Sequence, residues 1–158
     1  MQVYMTEKIL RLRQQWQTVL EGEPWYGPAV YHVLEEVDPA KAFQKPGGQA
    51  HSLIELLYHM LAWTEFAKAQ LDKHAFVPDM DTLDWRQIDP AQQSWAAGLA
   101  QFKRAHEKIF SRLDQLQDGD LDQMVDGKPY TKRTLIQGLI QHHVYHAGQI
   151  ALLHRLLC

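Results

Sequence analysis

The chain has 158 residues, 46% of them hydrophobic, with 16 Lys and Arg against 19 Asp and Glu and a formal charge of −3. That length suits a single domain, residues 1–158, with a real core. The scattered cations form no basic stripe and no apolar run approaches a membrane span, so neither nucleic acid nor a membrane is an expected partner. Glu7, Lys8, Arg11 and Arg13 interrupt the stretch Met1 to Arg13 where an export signal needs an unbroken apolar run, which predicts a cytoplasmic protein. The single cysteine, Cys158, excludes a disulfide framework and a cysteine-rich zinc motif.

Taken in chain order, the first helical pattern runs from about Thr6 to Glu21, with Ile9, Leu10, Leu12, Trp16, Val19 and Leu20 as its apolar positions and Gly22, Glu23 and Pro24 as the stop. A short helical run, Pro28 to Val37, precedes a loop punctuated by Pro39, Pro46, Gly47 and Gly48. Ser52 followed by Glu55 is a capping-box pattern, and a long helix from Leu53 to about Lys73 follows it. Phe76 to Asp89 has neither helical nor strand period and reads as a loop anchored by Trp85. Asp89 and Pro90, with Gln92 as distal partner, suit the start of a third long helix that keeps its period through Trp95, Leu99, Phe102, His106, Ile109, Phe110 and Leu113 to about Leu116. Asp118 to Lys132 is a connection with a hairpin-like turn at Asp126-Gly127. Thr131 or Arg133 then opens a final helix that runs nearly to Cys158.

Four long helices and no repeated unit point to an all-α four-helix bundle, with an irregular all-α domain as the alternative. The aromatic residues at helical spacing read as core or as a dimer interface.

The final helix carries the chemistry. At about 100° per residue, Leu135, Leu139, His142, His146, Ile150 and Leu153 fall on one apolar stripe. An imidazole there needs a partner, because an unpaired buried polar group costs about 1–3 kcal/mol. Two readings stand: the pair shares a metal ion with a ligand from another helix, or it bonds to tyrosine or carboxylate partners in the core. His59, at the edge of the apolar face of the Leu53 helix beside Trp63 and Phe66, is the candidate third ligand. His51 reads as an exposed turn residue, His143, to the side of the stripe, as a residue supporting the ligands or lying at the surface, and His106 as a hydrogen-bonded core residue. His143 follows His142 where an H-E-x-x-H motif has glutamate, so a zincin-type protease is not expected.

Trp25-Tyr26-Gly27-Pro28, His51-Ser52-Leu53-Ile54-Glu55-Leu56 running into His59-Met60-Leu61-Ala62-Trp63, Asp84-Trp85, Trp95, and Gln141-His142 through Tyr145-His146-Ala147-Gly148-Gln149-Ile150 together resemble the DinB/YfiT-like superfamily over almost the whole chain. The resemblance implies an up-down-down-up bundle and a divalent metal, zinc or nickel foremost, on three histidines whose matching positions here are His59, His142 and His146. It also implies a small-molecule substrate, since characterised branches transfer low-molecular-weight thiols or use one in an isomerisation. The expected activity is metal-assisted attack of such a thiol on a small electrophile. The alternatives are a metal-dependent hydrolase and a non-catalytic metal-binding stress-response protein, and a homodimer is expected. Tyr145 and Gln149 are candidates to orient the ligands or touch substrate, or they are simple helix packing.

Overall fold

The computed structural model describes residues 6–72 and 76–158. Every regular element among them is helical apart from one isolated bridge, and none of these helices is long and apolar enough to cross a membrane.

Helix α1 spans Glu7–Glu21, capped where the pattern predicts: the Thr6 hydroxyl accepts from the Ile9 amide at 3.4 Å, and the Gly22 amide closes the last turn on the Thr18 carbonyl at 3.0 Å. Its buried row is Ile9, Leu12, Trp16, Val19 and Leu20, whereas Leu10 lies on the solvent side. Helix α2, Val30–Glu35, is shorter than its apolar pattern suggests. Two 3-10 turns follow at Pro39–Lys41 and Pro46–Gly48, where Gly47 and Gly48 hold φ of 65° and 74°, backbone that side-chain-bearing residues resist.

Helix α3, Leu53–Leu71, opens on the expected capping box: the Glu55 amide donates to Ser52 Oγ at 3.3 Å, and the Ser52 amide donates to Glu55 Oε2 at 2.8 Å. Lys73, the end expected from periodicity, lies outside the described residues. This helix is buried nearly all round, because it packs on both neighbouring long helices. A helical turn unforeseen in the sequence, α4 at Met80–Leu83, interrupts the following loop and is capped by Asp79.

Helix α5, Trp95–Leu113, begins later and ends earlier than expected. Asp89 caps a separate turn, accepting from the Ala91 amide at 2.9 Å, and Ser94 makes the true cap by accepting from the Ala97 amide at 3.2 Å. Two capping residues five apart compete for one helix start. The second wins because it lets Trp95 bury and donate its Nε1–H to the Leu34 carbonyl at 3.1 Å. After the short α6, Asp118–Leu121, the chain makes the expected hairpin-like turn: Met124 bridges Thr131, and Gly127 sits at φ 68°. Helix α7, Lys132–Leu156, starts on a Thr131 cap.

The four long helices share one apolar core. α3 lies against α5 and α7, and α1 closes the core against α2, α5 and α7. Each fully buried Leu, Ile or Phe contributes about 1.5–3 kcal/mol, so the core needs no ion to hold together.

Candidate metal centre

Two helices bring three imidazoles to one point. His142 and His146 lie one turn apart on α7, between Leu139 and Ile150, and His59 faces them from the first half of α3. His59 Nε2 is 2.8 Å from His142 Nε2 and 3.0 Å from His146 Nε2, and the three ligand atoms lie within 4.8 Å of one another. His59 and His146 are 5% and 6% exposed, and His142 is half-buried.

The outer ring nitrogens fix the tautomers of two of them. His59 Nδ1–H donates to Asp84 Oδ1 at 2.7 Å, with the Asp84 carbonyl 3.2 Å away, and His146 Nδ1–H donates to Gln149 Oε1 at 2.6 Å. Both Nε2 atoms are therefore bare lone pairs facing each other at 3.0 Å. Protonation does not relieve that contact. Burial pushes His59 below the ordinary imidazole range with Asp84 pulling against it, and burial likewise lowers His146 against its bond to Gln149. His142 is pushed down to about 3, by burial first and then by the neighbouring imidazoles. Its Nδ1 is buried with no hydrogen-bond partner among the described residues. Three imidazoles whose Nε2 atoms converge, two of them with Nδ1–H engaged elsewhere, are a donor set for a divalent cation, and the residues present fit such an ion.

Asp84 and Trp85 shape the entrance. The Asp84 carboxylate also accepts from Trp63 Nε1 at 2.7 Å, tying the loop after α4 to α3. Trp85 stacks on His59 at 3.8 Å between centroids and 9° between planes, and on His51 at 3.9 Å and 13°. His51 is thus exposed as expected but stands over the ring that covers a candidate ligand. Beside His142 opens a cavity of about 310 Å³ with an almost wholly apolar lining, between Trp63 and the first two turns of α7.

Periodicity placed His142 and His146 on a buried stripe and His59 at the edge of one, and the fold brings all three together. Of the two places expected for His143 the surface one does not hold, because the residue is 0% exposed. Ile136, Ile140, His143, Ala147 and Ile150 form a second buried row on α7 at spacings of four and three, a signal obscured by the stronger first row. His143 Nε2–H points at His106 Nε2, 3.0 Å away, while His106 Nδ1–H donates to the Phe102 carbonyl at 2.8 Å. His106 is the hydrogen-bonded core residue expected, and burial pushes it down to about 3. Gln149 orients a ligand, whereas Tyr145 is exposed, packs edge-on against the His146 ring with centroids 4.9 Å apart, and accepts from Gln149 Nε2 at 3.3 Å. Asp84 had no assigned role from spacing, because its loop carries no period; the sequence signal was an acid adjoining an aromatic residue.

A family model described as DinB superfamily matches residues 28–150, a span that contains all three histidines, Asp84 and Gln149. No curated protein and no solved structure matches the chain.

Proposed function

The chain belongs to the DinB superfamily, and from that premise we propose a divalent-metal-dependent enzyme with His59, His142 and His146 as ligands, transferring a low-molecular-weight thiol to a small electrophile. One observation carries this reading: three neutral imidazoles converge through Nε2 while Asp84 and Gln149 hold the Nδ1–H of two of them. A divalent ion held by His59, His142 and His146 would favour the thiolate form of a coordinating thiol and would leave a position open for it.

The protein's own groups do the rest. Asp84 and Gln149 keep the lone pairs of His59 and His146 aimed inward, and Trp85 covers one face of His59. Leu139 and Trp63 wall the side of His142 with apolar surface. The thiol proton would pass to solvent water, and the sulfur would form its bond to the electrophilic carbon as the carbon–chlorine bond breaks and chloride leaves with the electron pair, or as the epoxide C–O bond breaks and its oxygen takes a proton from water. Hydrolysis is the weaker reading. Glu55 is held by the Ser52 cap and by Lys45, and Asp84 Oδ1 accepts from both His59 and Trp63, so both acids already have structural partners.

The same proposal takes residues 1–158 as one domain, the four long helices as an up-down-down-up bundle, zinc or nickel as the ion, and the cytoplasm as the compartment. It takes a homodimer formed through the exposed α7 row of Tyr145, Leu152 and Leu156.

Elemental analysis of untagged wild type and His142→Ala tests the centre. The expected result is near-stoichiometric metal in the first and none in the second, with helical circular dichroism unchanged. Metal-loaded protein incubated with a chlorinated or epoxide electrophile should then consume thiol. Absence of turnover with any of several low-molecular-weight thiols overturns the transferase assignment, and absence of metal in wild type after loading overturns the centre.

A further inference from the structure

We infer that the cleft beside His142 receives an uncharged, apolar part of the substrate, about the size of a fused aromatic pair, and that Gly138 sets how large that part can be. The inference deepens the metal-centre reading, which supplies only the position of the reacting atom at the His142 end.

The cleft is bounded by Trp63 of α3, by Tyr130 before α7, and by Leu135, Leu139 and His142 on α7. Its remaining lining is Thr134 and Gly138, so no lysine, arginine, aspartate or glutamate faces it. Away from the His142 end, a carboxylate or phosphate entering there would lose its water and meet no lysine or arginine. The volume of about 310 Å³ is at the lower end of small-molecule sites. It is also about twice that of an apolar cavity of roughly 150 Å³ that takes benzene. One or two rings, or a short alkyl chain, fit it.

Gly138 sits within α7, one turn before His142. Glycine is unfavourable in a helix interior, so its presence asks for a reason. Backbone conformation is not the reason, because Gly138 is not among the residues with positive φ. Close packing is not the reason either, since a Cβ built there meets no atom within 4 Å. Gly98 on α5 shows the contrast: its Cβ would lie 2.7 Å from the Tyr58 ring. What the hydrogen at Gly138 preserves is the open floor of the cleft, and any side chain there occupies ligand space.

The test is calorimetric titration of 2-naphthol and of 2-naphthoate into wild type, Gly138→Ala and Gly138→Leu, each with and without zinc. Metal-free wild type should bind one 2-naphthol per chain and 2-naphthoate at least tenfold more weakly, and zinc should leave the 2-naphthol affinity within threefold. Gly138→Leu should lose tenfold or more in 2-naphthol affinity and Gly138→Ala at least threefold, with zinc content and melting temperature preserved. Equal affinity for the two probes in the metal-free protein overturns the inference, as does wild-type 2-naphthol affinity in the leucine variant. Gly138→Ala replaces glycine by the best helix former, so it folds and decides the matter alone if the leucine variant does not. Failure of zinc to bind would remove the metal centre and leave the naphthol result standing, so the two failures are distinguishable.

Discussion

Asp84→Asn separates the orientation of a ligand from its presence. The carboxylate of Asp84 accepts two N–H bonds of 2.7 Å, from His59 Nδ1 and Trp63 Nε1. The amide is isosteric, and its oxygen can still accept from either donor, but the negative charge behind His59 is gone. A hydrogen bond to a charged group contributes about 1.5–3 kcal/mol and a neutral one about 0.5–1.5 kcal/mol, so the exchange weakens the hold on His59 by about 1–1.5 kcal/mol. The ring also becomes a poorer electron donor, and loss of such outer partners typically lowers metal affinity about 10- to 100-fold, or about 1.4–2.7 kcal/mol. Folding should suffer less, by about 1 kcal/mol or under, because the Asp84 side chain is 34% exposed and water replaces part of what it loses. The assay is competition for zinc against a chromophoric chelator, run beside thermal denaturation of the metal-free protein. Zinc affinity within twofold of wild type would refute the claim that Asp84 orients His59. A fall in stability as large as the fall in affinity would show that the residue mainly anchors its loop.

Gly98→Ala should destabilise the protein by about 1–3 kcal/mol despite its better helix propensity, because the new Cβ meets Tyr58 at 2.7 Å and Leu57 at 3.0 Å where α5 crosses α3; denaturant unfolding measures it, and a neutral result would mean the two helices can slide apart. Ser52→Ala removes the hydroxyl that caps α3 and should cost about 1 kcal/mol in the same measurement. His106 is neutral in the fold, pushed to about 3 by burial, while unfolded chain titrates near 6.5. The unfolded state therefore binds the extra proton in that window, so the stability this residue contributes is fully present above about 6.5 and declines as pH falls toward 3. Its share of the slope is about 1.4 kcal/mol per pH unit, and His106→Gln should flatten the metal-free stability profile between pH 6 and 4 by that amount. An unchanged slope would show that His106 is already protonated in the folded protein.

Local rules carried much of the structure. Thr6, Ser52 and Thr131 cap helices where their hydroxyls precede apolar periodic runs, and Gly22 and Gly127 end or turn the chain as their positions suggest. Caps are legible because both partners lie within four residues. The Asp89 start failed for the same reason in reverse: two local caps were available, and only burial of Trp95 under Leu34, far away in sequence, chose Ser94.

The sequence by itself determined the four long helices, the pairing of His142 with His146 on one face, and the candidacy of His59, since 3.6-residue periodicity and capping need only neighbouring residues. Tertiary structure alone decided the meeting of α3 with α7 at His59, the use of Asp84 and Gln149 to fix ring tautomers, the burial of His143 against His106, and the open cleft at Gly138. A helix pattern states which face is apolar but not what packs on it. Two buried faces on one helix, as on α7, appear in sequence as a single broad one until the partners are in place.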